Sequence, residues 1–169
     1  MEGKTVVITG GTSGIGQVAA ETLAKMGARI ILIARDKSRT DATLARLSSV
    51  GPGIAHCAFF ADLTRLAEMK RVAAQIVDQE LVIDVLINNA GAVFSRRRLT
   101  EDGIEYTFAL NHIAYFVVTE GLRERLLAAK TARIINTASA VHQGATLDFD
   151  DLQSEKSFDA IKAYGRSKL

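Results

Sequence analysis

Cysteine occurs once in the 169 residues, so the chain can close no internal disulfide. The lone thiol, Cys57, sits in a strand-like apolar run and reads as a small buried hydrophobe. No apolar run approaches the roughly eighteen residues that a membrane span needs. Met1-Glu2-Gly3-Lys4 leads straight into an apolar strand without the features of a signal peptide. An excess of one charge is missing as well: 21 Lys and Arg stand against 19 Asp and Glu, a net +2. That balance gives no net-charge argument for nucleic acid or an anionic membrane, and any basic preference must be local. His56, His112 and His142 lack metal-ligand spacing, and no Cys or acidic cluster completes a site. These absences lead us to expect a soluble protein of a reducing, cytoplasmic compartment, with no metal, no nucleic-acid partner and no membrane span.

What is present is ordinary globular composition, 48% apolar and 24% charged, at about the length of one domain. Short β-branched and aliphatic runs predict strands over 5–9, 29–34, 55–60, 82–88 and 133–137. Helical patterns over 15–26, 41–49, 63–79 and 111–129 alternate with them, punctuated by Gly27 and by Gly51-Pro52-Gly53. The strands are continuously apolar rather than alternating, which argues for a parallel sheet covered on both faces. The expected fold class is therefore α/β: a doubly wound parallel sheet of Rossmann type in three α/β/α layers. No repeat, low-complexity tract or linker divides the chain, so 1–169 is read as one domain. The long irregular stretch 141–159 is rich in Asp and Gln, and loops of that length are more often functional than idle.

Between the first strand and the first helix lies Thr9-Gly10-Gly11-Thr12-Ser13-Gly14-Ile15-Gly16. Missing side chains there let backbone N–H groups approach an anion at a helix N-terminus, which suits a pyrophosphate. A Walker loop is excluded because no Gly-Lys-Ser/Thr ending follows, and the glycine spacing differs from G-x-G-x-x-G. The end of the second strand bears on which dinucleotide fits. An acid about twenty residues beyond the glycines usually accepts from a ribose 2′-OH, but Ala34 holds that place and Arg35 follows. A guanidinium can bind a 2′-phosphate through two oriented N–H bonds. Asp36, one position later, is the counter-indication. Near the C-terminus, Tyr164 and Lys168 stand at i and i+4, where an ammonium beside a phenol favours its ionised form.

The pattern T-G-x-x-x-G-x-G at 9–16 resembles that of the short-chain dehydrogenase/reductase family. Asp62-Leu63, Asn88-Asn89-Ala90-Gly91, Asn111, Ser139 and the Tyr164/Lys168 pair extend the resemblance over essentially the whole chain. It implies a single dinucleotide-binding catalytic domain, lacking its C-terminal strands here because family members typically run to about 250 residues or more. It implies a cofactor site at Gly10, Thr12, Ser13, Gly14, Ile15, Gly16, Arg35, Asp62, Leu63, Asn89, Ala90, Gly91, Tyr164 and Lys168. Asp62 would accept from the adenine amino group, with a helix N-cap as its alternative role. The implied catalytic set is Asn111, Ser139, Tyr164 and Lys168. Tyr164 exchanges a proton with the substrate oxygen, Lys168 assists it and bonds the nicotinamide ribose, Ser139 donates to that oxygen, and Asn111 holds a water linking Lys168 to solvent.

The stretches 99–105, Asn111-His112 and 147–156 look like the retinol-dehydrogenase-like branch, with its WW-domain-oxidoreductase and protochlorophyllide-reductase relatives. That branch implies a lipophilic small-molecule carbonyl or alcohol as substrate and NADP(H) as favoured cofactor, with NAD(H) the alternative. Several such relatives carry an N-terminal membrane anchor, for which this sequence shows no segment. A homo-oligomer through the helix at 111–129 is a further family expectation. The competing classes are a non-catalytic NADP(H)-binding sensor on the same fold and a methyltransferase on a similar sheet. His142 could line the substrate cleft, and Arg96-Arg97-Arg98 reads as a solvated basic loop.

Overall fold

Val6, Val7 and Ile8 are consecutive and all wholly buried, which a strand permits only when both faces of its sheet are covered. In the computed structural model, which describes residues 1–169, that strand is β1 (Thr5–Thr9). With β2 (Arg29–Ala34), β3 (Cys57–Phe60), β4 (Val85–Asn88) and β5 (Arg133–Asn136) it forms one parallel sheet in the order β3-β2-β1-β4-β5. Helices α1 (Gly14–Lys25) and α2 (Lys37–Val50) cover one face, where Ala20, Ala24 and Leu47 meet Val6, Ile8, Ile30, Leu32 and Ile87. Helix α3 (Leu66–Gln79) covers the other. Its buried Met69, Val72, Ala73 and Ile76 follow helical spacing and pack on Val7, Ile31, Ile33 and Leu86.

The chain then runs through α4 (Tyr106–Phe108), a π-helical segment (Ala109–Ile113), α5 (Ala114–Gly121) and α6 (Arg123–Leu127) before β5. Helix α5 lies so close to α3 that a Cβ on Gly121 would stand 2.5 Å from the Ala73 methyl. A 3₁₀ turn (Ala140–Gly144) and α7 (Ala160–Ser167) complete the described chain. The doubly wound three-layer fold agrees with the sequence. Strand order reverses between β1 and β4, and at such a switch point a crevice opens at the carboxyl edge of the sheet. No helix is long and apolar enough to cross a membrane.

Element ends differ from the apolar pattern where polar side chains decide them. Strand β3 starts at Cys57 rather than 55, because the His56 Nδ1 atom accepts from the Ile30 N–H (3.0 Å) in place of a ladder carbonyl. Helix α2 starts at Lys37 rather than 41, because the Asp36 carboxylate accepts from the Arg39 N–H (2.8 Å) and caps it. Asp62 instead closes a turn, accepting from the Thr64 N–H (3.0 Å) and hydroxyl (2.8 Å), while α3 begins later, at Leu66. The helix expected over 111–129 is broken into α5 and α6 and preceded by the π segment. Cys57 is half-buried, and burial pushes its thiol up.

The entry to that segmented helix is fixed by Glu105, only 2% exposed. Its carboxylate accepts from the Thr107 N–H (2.9 Å), the Thr107 hydroxyl (3.0 Å) and the Phe108 N–H (2.9 Å). Deleting it leaves two buried N–H groups without acceptors. Glu105→Ala should therefore destabilise the fold by about 2 kcal/mol, with Glu105→Gln costing less. Urea unfolding midpoints at constant m-value check this; an Ala variant within error of the wild type contradicts it.

Candidate functional site

The turn from β1 into α1 passes through Gly10 at φ +66° and Gly14 at φ +53°, a conformation that side chains disfavour. At Gly10 a Cβ would also stand 2.9 Å from the Ala90 Cα. At Gly16 a Cβ would collide with the Asn89 amide and the Gly10 carbonyl. The loop is thus pressed against the exit of β4 at Gly10 and Gly16, where no side chain would fit. Ser13, the N-cap of α1, makes no side-chain cap bond, and the first turn of α1 carries no acid. Its leading N–H groups remain free to hold an anion.

The exit of β4 is tied down by asparagines. The Thr9 hydroxyl accepts from the Asn89 N–H and the Ala90 N–H, both at 2.9 Å. The Asn89 side-chain amide donates to the Thr9 carbonyl (3.0 Å) and the Gly10 carbonyl (3.1 Å). Asn88 donates to the Asn136 side-chain carbonyl on β5 (2.9 Å) and to the Thr119 hydroxyl on α5 (3.1 Å).

Above this edge lies a cleft of about 440 Å³. Every residue expected at the cofactor site lines it: the cradle from Gly10 and Thr12 to Gly16, Arg35, Asp62, Leu63, Asn89, Ala90, Gly91, Tyr164 and Lys168. Arg39 and Thr137 line it too, and sequence reasoning missed both. Arg39 comes to the cleft because α2 begins at Lys37, so the cap signal of Asp36 was the cue that could have found it. Asp36 also lines the cleft, with one carboxylate oxygen committed to the cap.

Two residues of the expected catalytic set stand outside that cleft lining. The Asn111 amide is buried and committed: its oxygen accepts from the Ala92 N–H (2.9 Å), and its nitrogen donates to the Ala92 carbonyl (2.9 Å) and the Ser167 hydroxyl (3.0 Å). It knots the chain after β4 to α7. Ser139 follows β5 and caps the 3₁₀ turn by accepting from the Val141 N–H (3.4 Å), which leaves its own O–H hydrogen uncommitted. His142 bonds back to the Ser139 carbonyl. In the basic run Arg96 and Arg98 are exposed, as a solvated loop implies, while the half-buried Arg97 donates to the Gln153 carbonyl (3.0 Å) and Arg98 lies 4.7 Å over the Tyr106 ring.

Lys168 follows α7 and reaches back to the sheet. Its Nζ donates to the Tyr115 hydroxyl (2.8 Å) and the Thr137 carbonyl (3.0 Å), and lies 4.6 Å from the Tyr115 ring centre. Lys168 also lines a second cavity, of about 500 Å³, with Asn111, Tyr115 and Ser167. Tyr115, another residue the sequence reading missed, is half-buried, and burial with Tyr164 nearby pushes its phenol well above the ordinary range. Burial pushes the Lys168 amine down to about 8.

The profile of a family described as short chain dehydrogenase matches residues 4–147. Human retinol dehydrogenase 13 is 38% identical over 170 residues, covering 99% of this chain and 51% of that protein. A short-chain dehydrogenase from Sphingobium yanoikuyae, solved in complex with NADPH, superposes with a TM-score of 0.77 at 35% identity, over 98% of this chain and 60% of that one. The Pseudomonas aeruginosa RhlG/NADP active-site complex gives a TM-score of 0.77 at 30% identity, over 99% and 62%. The chain spans about half the length of the curated relatives it matches.

The half-buried Lys168 amine makes stability pH-dependent. Between its folded value of about 8 and an unfolded value near 10.4, the unfolded chain binds the extra proton, so stability gains with rising pH. Relative to Lys168→Met, the wild type should therefore become more stable as pH climbs from about 8 to 10. Paired urea melts at pH 7 and 10 check this, and a pH-independent difference contradicts it.

Proposed function

The chain belongs to the short-chain dehydrogenase/reductase family, and from that premise we propose an NADP(H)-dependent oxidoreductase that interconverts the carbonyl and alcohol of a lipophilic small molecule. The observation that carries this reading is the convergence of the glycine cradle, Arg35 and the Tyr164/Lys168 pair on one cleft at the switch point of the sheet. The cradle fits a pyrophosphate, because the space a Cβ would fill at Gly10 and Gly16 is what lets backbone N–H groups approach it. Arg35 and Arg39 suit a 2′-phosphate, and Asp62 with Leu63 suits an adenine edge and face. NADP(H), when bound, would supply or take up the hydride. The lipophilic substrate class rests on the retinol dehydrogenases among the relatives.

In the reducing direction the Tyr164 phenol gives its proton to the oxygen of the developing alkoxide, and in the oxidising direction it takes the proton back. Lys168 holds positive charge beside that exchange and steadies the phenolate that remains. The Ser139 hydroxyl, whose hydrogen is uncommitted, donates to the same substrate oxygen and fixes its place. Asn111 acts through structure: its amide grips Ser167, and Ser167 donates to the Tyr164 carbonyl (2.7 Å), so the helix bearing the phenol is held at the cleft.

Tyr164→Phe should retain NADPH binding by fluorescence titration and lose at least a hundredfold in kcat on a panel of retinal, long-chain and short aldehydes. A near-normal rate sinks the assignment, and NADPH binding by the wild type without turnover of any carbonyl favours a sensor. Arg35→Glu should weaken NADPH binding roughly ten- to a hundredfold while sparing NADH, as expected for loss of a charge-assisted bond. Equal losses for both cofactors would contradict the NADP(H) preference.

A further inference from the structure

We propose that Tyr115 is a positioning residue for Lys168, holding its ammonium charged and fixed between the cofactor cleft and the second cavity. The inference rests on the reading of Lys168 as the partner of Tyr164. A lysine side chain has four rotatable bonds, and burial favours its neutral form. Here no carboxylate contacts the amine to oppose either tendency. The groups that face Lys168 are Tyr164 on its own helix, Tyr115 on α5, His112 in the π segment, and Asn136 and Thr137 of β5 and its exit. No carboxylate side chain is among them; of the carboxylates in the cleft, Asp36 caps α2 and Asp62 closes the turn at Thr64. The Tyr115 hydroxyl and the Thr137 carbonyl accept two of the three ammonium hydrogens, leaving the third for the cleft. The ring face adds attraction to the same charge. Burial keeps Tyr115 a neutral phenol, so it accepts from the ammonium without competing as an acid.

The backbone supplies the register for this contact. The π segment Ala109–Ile113 inserts one residue into the helix, and each residue turns an α-helix by about 100°. Without that insertion Tyr115 would rotate off Lys168. Asn111, on the same face, fixes the segment to Ala92 and Ser167, so a single helical face carries both the knot that holds α7 and the acceptor for its lysine.

NMR titration of ¹³Cε-labelled lysines, with the Lys168 signal assigned by its loss in Lys168→Met, tests the proposal without requiring turnover. The wild-type Lys168 amine should titrate below the other lysines. Tyr115→Phe, which keeps the ring and removes one oxygen, should lower its midpoint by a further one unit or so, and Tyr115→Leu by more. The alkaline limb of the kcat profile should move down by the same amount in Tyr115→Phe, which a uniform structural loss would not produce. An unchanged midpoint in Tyr115→Phe overturns the proposal, as does an ordinary lysine midpoint in the wild type, which needs no variant to fold. Failure of the oxidoreductase reading shows separately, as absent turnover with the Lys168 midpoints still responding to Tyr115.

Discussion

A parallel sheet leaves unpaired N–H and carbonyl groups at its carboxyl edge, and in this fold asparagine amides take them up. Asn89 clamps β4 to the first turn of the cradle, Asn88 clamps it to β5 and α5, and Asn111 clamps the next stretch of chain to α7. Each leaves buried backbone or side-chain polar groups unpaired if removed, and such groups cost more than the net value of the bonds themselves. Asn89 holds the shape of the cradle from below, through the Thr9 and Gly10 carbonyls. The Tyr164/Lys168 helix can stand at the cleft only because Asn111 holds Ser167.

A second constraint is electrostatic. Lys168 is half-buried beside neutral acceptors, not a carboxylate, and that choice sets how the amine behaves. A carboxylate partner would hold the charge firmly and keep the amine protonated far above neutrality. Hydroxyl and carbonyl acceptors hold it less firmly, and burial brings its titration down to about 8. One arrangement bears on both position and charge: the ammonium donates to the Tyr115 hydroxyl and the Thr137 carbonyl, with no carboxylate to keep it protonated far above neutrality.

The sheet and the cradle were legible in the sequence because their signals are local. Consecutive apolar residues mark a strand buried on both faces, and glycine marks backbone where φ is positive, as at Gly14, or a Cβ will not fit, as at Gly16. Helix α2 was placed four residues late, since Lys37-Ser38-Arg39-Thr40 has no apolar period and only Asp36 announces the start. With that boundary went Arg39. The π segment is invisible for the opposite reason: around Ala109 to Val118 apolar residues occur on every face, so an inserted residue disturbs no pattern. Tyr115 was lost with it. The catalytic roles of Asn111 and Ser139 came from family resemblance; in the structure the Asn111 amide ties Ala92 to Ser167, and the Ser139 oxygen caps the 3₁₀ turn while its O–H hydrogen stays uncommitted.

The same boundary at α2 bears on cofactor choice. The first turn of a helix favours anions, yet α2 begins with Lys37 and Arg39 and holds no acid there. Lys37 is paired with Asp41 (2.7 Å). Arg39 has no carboxylate partner, and Asp36 offers its N–H, not its guanidinium, a bond. Two guanidiniums, Arg35 and Arg39, therefore line a cleft in which Asp36 is engaged in capping α2 and Asp62 in the turn at Thr64. On the NADP(H) reading proposed above, a 2′-phosphate would answer those guanidiniums, beside a helix N-terminus that favours an anion.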